Sequence, residues 1–386
     1  MALSAAGFHS IGVNDLGDPV AAVGPSEWWE MSPTDLPTLL RRLRSLSSVK
    51  AVLSASEKEA ETAVGIAHAC GLAFPSPWPI DKWEQRQALN AIPHLYVDAR
   101  TIDAPEDIDH LFQERRQWII KPRISRGGSR GVHIASCASD VVPGLVPSEC
   151  SGARAGHGLL AEEVLAGPQL TIDAVVRRGV SEVLAVGRNI KQGGKHQVNV
   201  AIVWDSTSTE FRPAAQVMLR SITEVLGIRN GLLHVEAAAT PKGLRPIEIA
   251  HRQGGGVVPD AVALFSGDHP VIAAINSQAA SRARGHEAVV LLYLIAPPGR
   301  LAAAEEQPDT VTLRTTDLPG IADLMTFVPR TGEVAPLVDT SARLGHVLAY
   351  GGSTNEAFLR AAAAARSIKL LAESGRPCPL ILPQIA

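Results

Sequence analysis

His234-Val-Glu236, the turn Pro241-Lys242-Gly243 and the run Glu248-Ile-Ala-His-Arg252-Gln-Gly254-Gly255-Gly256 bring two carboxylates, an arginine and bare backbone into one short span. Apolar residues flank the turn, and a three-residue hairpin loop calls for a type I turn closed by a glycine in the left-handed region. That register sets Glu236 opposite Glu248, with Cβ atoms roughly 5 Å apart on one face of the ladder. Facing carboxylates repel unless a cation separates them, and Mg2+ favours one or two carboxylates plus substrate phosphates. A glutamate pair bridging Mg-nucleotide fits the pattern, while an isolated pair also fits a solvent-facing hairpin with hydrated carboxylates. The following arginine and glycines favour the first reading. Arg252 offers a rigid fork for phosphate or carboxylate, and glycines let backbone N–H groups approach an anion closely.

At 386 residues and 46% hydrophobic, the chain can bury more than one core, and two or three packed units are expected. A net charge of −3, with no basic run beyond the pairs Arg41-Arg42, Arg115-Arg116 and Arg177-Arg178, argues against nucleic acid. The four cysteines (Cys70, Cys137, Cys150, Cys378) are scattered without a Cys-x-x-Cys, which argues against a disulfide framework or a zinc site. Reduced thiols in a cytoplasmic protein are expected. The longest apolar run, Ala288 to Ala296, is about half a membrane span, and no basic segment precedes an apolar stretch at the N-terminus. No membrane association and no export are expected.

Residues 1–80 read as a small α/β unit. Leu36 to Leu46 has helical spacing with Arg41, Arg42 and Arg44 outward, Val49 to Leu53 reads as a short buried strand, and Glu57 to Cys70 as a second helix capped by Gly71. Pro75, Pro77 and Pro79 mark a boundary. From Asp81 the pattern becomes helix, strand, glycine loop, strand: Trp118-Ile-Ile-Lys121-Pro122, then Arg126-Gly127-Gly128-Ser129-Arg-Gly131, then Val132-His-Ile134. The loop is neither a Walker motif nor a Rossmann fingerprint. Its glycines and Ser129 could donate N–H groups to phosphate beside the charge of Lys121, although such a hairpin by itself is also an ordinary tight turn. Next, Leu159 to Leu165 and Gln169 to Val176 read as strands joined by a kink at Gly167-Pro168, forming an adenine-sized slot or a buried sheet with surface acids.

Taken in order, Asp81-Lys82 with Arg86, Lys121 with the glycine hairpin, Glu162-Glu163-Val164-Leu165, and Glu236, Glu248 and Arg252 resemble the ATP-grasp superfamily of carboxylate-amine ligases over most of the chain. The resemblance implies an α/β (α+β) ATP-grasp fold with an N-terminal α/β domain, a central nucleotide-binding lid subdomain and a C-terminal antiparallel-sheet catalytic subdomain. The expected divisions are 1–80, an ATP-grasp domain over 81–286, and a 287–386 subdomain packing on the catalytic core. It implies that Lys82 and Lys121 bind nucleotide phosphates, that Gly127, Gly128 and Ser129 belong to a phosphate flap, and that Glu162 and Glu163 are hinge glutamates. Adenine would lie against Glu163, Val164 and Leu165, with ribose near Gln169. Mg2+, or Mn2+ in its place, would bind Glu236 and Glu248, while Arg252 would steady an acyl-phosphate. Gly254 to Gly256, Pro259-Asp260 and Ser266-Gly267 make the chain similar to bacterial L-amino-acid ligases that form dipeptides. Homodimers are frequent among such proteins.

Three departures accompany the resemblance. Ala250 stands where many relatives carry Asn, a loss that His251 or water would have to make good. Gln169 replaces a ribose-binding acid, and the usual first strand and glycine turn are not evident because Ala2 to Gly7 reads as the end of a helix, which fits either a truncated N-terminal domain or a true start lying upstream. His251, Gly255, Gly256 and Lys191, the last in the loop Lys191-Gln-Gly-Gly-Lys195-His196, are the substrate-binding candidates. The implied substrates are a small-molecule carboxylate and an amine, joined as an amide with release of ADP and phosphate. Two alternatives stand beside this: a carboxylase-type or purine-type enzyme using bicarbonate or formate, and an ATP-binding protein without catalysis.

Overall fold

The computed structural model describes residues 7–14, 25–54, 59–113, 116–124, 128–141, 158–275, 285–302, 318–326 and 332–385. Near the N-terminus, β1 (Ile11–Asn14) runs parallel to β2 (Glu27–Glu30). Helices α1 (Leu36–Arg44) and α2 (Ala60–Ala69) close a small core of Trp29, Met31, Leu39 and Ile66. The Asp35 carboxylate caps α1 by accepting from Thr38 N–H. Arg42 turns outward and lies 4.0 Å from the centroid of the Trp29 ring. Two expectations are corrected here. A first strand does exist, β1, but its four residues Ile-Gly-Val-Asn are too few to show a period-two pattern. Val49 to Leu53 forms no strand. Val52 and Leu53 instead line a cavity against the central sheet.

A second unit follows: α3 (Lys82–Asn90), β3 (Ala99–Ile102), α4 (Pro105–Leu111), β4 (Trp118–Pro122), β5 (His133–Ala135) and β6 (Leu159–Glu163). Its four-stranded sheet has the order β3-β6-β4-β5 with antiparallel neighbours throughout. Trp118, Ile120, Leu159 and Ala161 bury one face. The glycine-rich segment joins β4 to β5; Gly128 and Ser129 both have positive φ, and Gly127 lies outside the described residues.

The largest sheet is assembled from β7 (Gln169–Arg177), β8 (Val180–Gln192), β9 (Val198–Trp204), a short α5 (Ser206–Thr209), α6 (Arg212–Val225), β10 (Gly231–Thr240), β11 (Gly243–Ala250), α7 (Val258–Ser266) and α8 (Pro270–Ile275). Residues 287–386 then add β12 (Ala288–Ile295), β13 (Gly299–Arg300), β14 (Ile321–Thr326), β15 (Glu333–Val334), β16 (Arg343–Gly351) and α9 (Thr354–Ser367). The eight-stranded order is β11-β10-β7-β8-β9-β12-β16-β14, so the C-terminal segment contributes strands to the same sheet as β7–β11. Period-two alternation decides what each face carries. Leu170 and Ile172 of β7, and Leu233, Val235 and Ala237 of β10, pack with Met218, Leu219 and Ile222 of α6. The intervening Thr171, Asp173, His234 and Glu236 therefore share the opposite face. Small side chains at Ala357, Ala361, Ala364 and Ala365 seat α9 against β12 and β16. No helix among the described residues is long and apolar enough to cross a membrane.

Candidate active site

The cleft begins at a helix start. Asp81 caps α3, its carboxylate accepting from Trp83 N–H at 2.8 Å, and also binds Arg123 at 2.6 Å. Lys82 N–H donates to Arg123 C=O at 3.0 Å, which ties the first helical residue to the end of β4. Lys82 Nζ then lies 3.1 Å from Glu248 Oε1. One turn on, Arg86 donates from Nε to Glu162 Oε1 at 2.7 Å, and Lys121 Nζ lies 2.6 Å from Glu162 Oε2. Glu162 is 4% exposed, so its carboxylate is held between two cations inside the protein. Burial alone would raise its pKa, but Arg86 and Lys121 outweigh that and hold it below the ordinary carboxylate range. Lys121 moves the other way: burial lowers it more than Glu162 raises it. Lys82, Lys121, Glu162 and Glu248 share the lining of one narrow cleft.

The β10–β11 hairpin supplies the carboxylates. Glu236 pairs with Glu248, as the sequence register predicts. The route differs: Thr240 pairs with Gly243, that register runs to Ala237 opposite Pro246, and an irregularity leaves Ile247 as the extra residue before the glutamates meet. Gly243 has the positive φ of +96° expected at the turn. The bulge also exposes Ile247 C=O, which accepts from Lys121 Nζ at 2.9 Å. Glu236 has its own cation, Lys191 at 3.3 Å, and receives Asn199 Nδ2 at 3.4 Å. Lys191 therefore ends β8 beside the glutamate pair, not in the loop expected from sequence.

Burial alone would raise the Glu248 pKa, but Lys82, Lys121 and Arg252 bring it to about 2. Its unfolded value is 4.5, so the unfolded chain takes the proton first. The stability Glu248 contributes is complete above pH 4.5 and is lost as pH falls through about 2. Urea midpoints measured across that window should fall with pH, and Glu248→Gln should flatten that part of the profile.

Sequence reasoning singles out His234 and Gln169 but misses several contacts on this side of the sheet. His234 Nδ1 lies 2.9 Å from Asp173 Oδ1; burial alone would lower the imidazole pKa, but the carboxylate raises it above the ordinary value. Arg343 places its guanidinium 3.5 Å from the Tyr293 ring centroid and donates to Asn199 C=O at 2.7 Å. Those contacts join strands far apart in sequence, so local spacing carries no trace of them. Gln169 Oε1, both amide atoms of Asn189 and Asn199 Oδ1 are buried without protein partners. Polar atoms orphaned on this scale fit a hydroxyl-bearing ligand. Among the described residues no three His, Cys, Asp or Glu side chains cluster, and a carboxylate pair lined by lysines suits Mg2+ held partly by phosphate oxygens.

Glu163 ends β6 and, with Val164 and Leu165 after it, is not among the residues that line this cleft. Glu163 Oε1 accepts from Asp98 N–H at 3.0 Å, and Val164 is 36% exposed just before Leu165. Arg252 follows β11 and acts electrostatically on both Glu248 and His234. Gly255 and Gly256 have open space where a Cβ would stand. His251 does not make good the loss at Ala250: its Nε2 lies 3.1 Å from Asn230 C=O and its ring meets Trp78 edge-on. A Cβ on Gly231 would lie 1.8 Å from that Nε2. Gly231→Ala should therefore cost about 1–3 kcal/mol by overpacking, read as a lower denaturant midpoint.

No family model matches the chain. Dapdiamide A synthase of Enterobacter agglomerans is 21% identical over 320 residues, covering 76% of this chain and 74% of that protein. The L-amino acid ligase of Bacillus licheniformis superposes with a TM-score of 0.75 at 16% identity, covering 98% of this chain and 94% of the other. The biotin carboxylase domain of Hydrogenobacter thermophilus 2-oxoglutarate carboxylase, solved with MgADP, ADP and bicarbonate, gives 0.67 at 15% identity over 98% and 88%. The chain has the ATP-grasp fold. The cleft lined by Lys82, Lys121 and Glu248 lies where the four-stranded unit meets the eight-stranded sheet.

Proposed function

We propose that this chain is an ADP-forming carboxylate-amine ligase that joins amino-acid or peptide substrates through an acyl-phosphate. The observation that carries the reading is the facing pair Glu236 and Glu248, each neutralised by its own lysine, with Arg252 close by. Lys82 and Lys121 are positioned for the nucleotide phosphates, and Glu162 keeps Lys121 in place. Gly128 and Ser129, with Gly127, form the flap, held by Thr340 N–H donating to Gly128 C=O at 3.1 Å. Lys195 binds Asp140 at 2.5 Å and ties the β8–β9 turn to the lid. Glu163, Val164 and Leu165 receive adenine, and the amide of Gln169 meets the ribose.

Mg2+ bound to Glu236 and Glu248, or Mn2+ in its place, would neutralise charge on the transferring phosphoryl group. A substrate carboxylate oxygen attacks the γ-phosphorus and the bond to ADP breaks. An amine then attacks the acyl carbon, phosphate leaves, and the amine gives up a proton. Arg252 stabilises the acyl-phosphate and the tetrahedral intermediate, and the closed flap keeps water out. No side-chain nucleophile is needed. The same reading divides the chain at 1–80, 81–286 and 287–386; the separate core of the N-terminal unit supports the first boundary, while β12, β16 and β14 continue the sheet of β7–β11 across the second. Free thiols at Cys70, Cys137 and Cys378 accord with a reducing cytoplasm.

The test is ADP release with Mg-ATP over all pairs of the twenty amino acids, with mass spectrometry of the products. Release that needs two amino acids and yields their dehydrated conjugate supports the ligase. Release that depends on bicarbonate or formate alone would replace it with the carboxylase-type reading.

A further inference from the structure

Glu236 is held from the C-terminal strands as well as from its own hairpin. Its two carboxylate oxygens meet β8 and β9: Lys191 Nζ lies 3.3 Å from Oε2, and Asn199 Nδ2 donates to Oε1 at 3.4 Å. Lys191 and Asn199 are cross-strand partners, so one rung of that ladder presents both groups. The backbone of Asn199 is anchored in turn. Arg343, the first residue of β16, donates from Nη2 to Asn199 C=O at 2.7 Å. Tyr293 of β12 fixes the guanidinium, whose carbon lies 3.5 Å from the ring centroid. A planar fork stacked on an aromatic face is not matched by an ammonium.

The segment before Arg343 is seated by close approaches at two glycines. Thr340 N–H donates to Gly128 C=O at 3.1 Å, and a Cβ on Gly128 would lie 2.7 Å from Thr340 Oγ1. A Cβ on Gly193, between β8 and β9, would lie 2.7 Å from Leu337 C=O. Asp339 caps the single turn Thr340–Ala342, its carboxylate accepting from Ser341 N–H at 2.7 Å. Arg343 therefore leaves a segment packed against both the glycine hairpin and the β8–β9 turn, and its backbone has little room to shift.

We propose that Arg343 is a positioning residue for the metal ion: it holds Asn199, and Asn199 with Lys191 sets the Glu236 carboxylate in the orientation that binds Mg2+. The inference rests on the reading of Glu236 as a metal ligand and deepens it. A carboxylate free to rotate must be ordered when the ion binds, whereas one already oriented by its neighbours need not be. Residues that orient a metal ligand in this way typically govern metal affinity by about 10- to 100-fold.

Mn2+ is the probe, titrated into the protein mixed with a non-hydrolysable ATP analogue, with the free ion read from its electron paramagnetic resonance signal. Arg343→Lys keeps the charge and Asn199→Ala keeps the backbone acceptor, yet each should weaken Mn2+ about tenfold or more. Because the two residues act in series, the double variant should match the weaker single variant within about twofold, where independent roles would multiply the losses. The Mg2+ concentration that half-saturates ADP release should shift in parallel. If Arg343→Lys does not fold, Tyr293→Leu, which removes the ring beneath the guanidinium, takes its place in the cycle. Mn2+ affinity that Glu236→Gln lowers but Arg343→Lys and Asn199→Ala leave unchanged overturns the proposal alone, as do losses that multiply. Affinity indifferent to Glu236→Gln as well overturns the metal assignment and this inference with it.

Discussion

Replacing Glu248 by Gln lowers ATP turnover by at least about 10²-fold, the loss typical when one preorganised electrostatic contact to the transition state is removed. Shape is nearly preserved, so what disappears is charge. Glu248 is the partner of Lys82 at 3.1 Å, stands opposite Glu236, and is ionised at any working pH because its pKa is about 2. The amide cannot neutralise Lys82 and is a poor ligand for a hard divalent cation. Glu236→Gln should act similarly through Lys191 and Asn199. Steady-state ADP release against Mg2+ concentration checks the claim, with a circular dichroism melt as the control. Unchanged turnover would remove the glutamate pair from the mechanism.

Glu162→Ala should cost about 3–5 kcal/mol of stability, the range found when one partner of a buried ion pair is deleted. Arg86 is 3% exposed and Lys121 5%, so neither can turn to water without local opening of the packing around them. Arg86 would keep its bond to Pro246 C=O at 2.8 Å and Lys121 its bond to Ile247 C=O at 2.9 Å, but both would lose their counter-charge. Burial already lowers the Lys121 pKa, and with Glu162 gone that tendency meets less opposition. ATP affinity should fall together with stability. Urea unfolding gives the first quantity and nucleotide titration the second. A midpoint within experimental scatter of the parent protein would show that the triad is dispensable.

Much of this site was legible because it is local. A turn signal and two apolar flanks were enough to set Glu236 opposite Glu248, even though the actual register reaches that pairing through a bulge at Ile247. The order of lysines, glycine hairpin and glutamates then pointed to the ATP-grasp fold. What spacing could not show was any contact that only the tertiary structure creates. Glu162 reads in sequence as a hinge acid beside adenine, yet its carboxylate spans Arg86 and Lys121. Asp173 and His234 are 61 positions apart, and Arg343 reaches Asn199 over 144. Short elements failed for a different reason. Ile11–Asn14 is a strand through pairing with Glu27–Glu30, whereas apolar Val49 to Leu53 finds no strand partner and two of its residues line the cavity against the central sheet.

The central claim is that a substrate carboxylate becomes an acyl-phosphate, and oxygen transfer tests it most directly. A substrate amino acid labelled with oxygen-18 in its carboxylate is turned over with Mg-ATP and an amine partner, and the released phosphate is analysed by mass spectrometry. The account predicts one labelled oxygen in each phosphate, carried across when the amine displaces it. Turnover that releases unlabelled phosphate would contradict the account, because the carboxylate would never have been bonded to phosphorus.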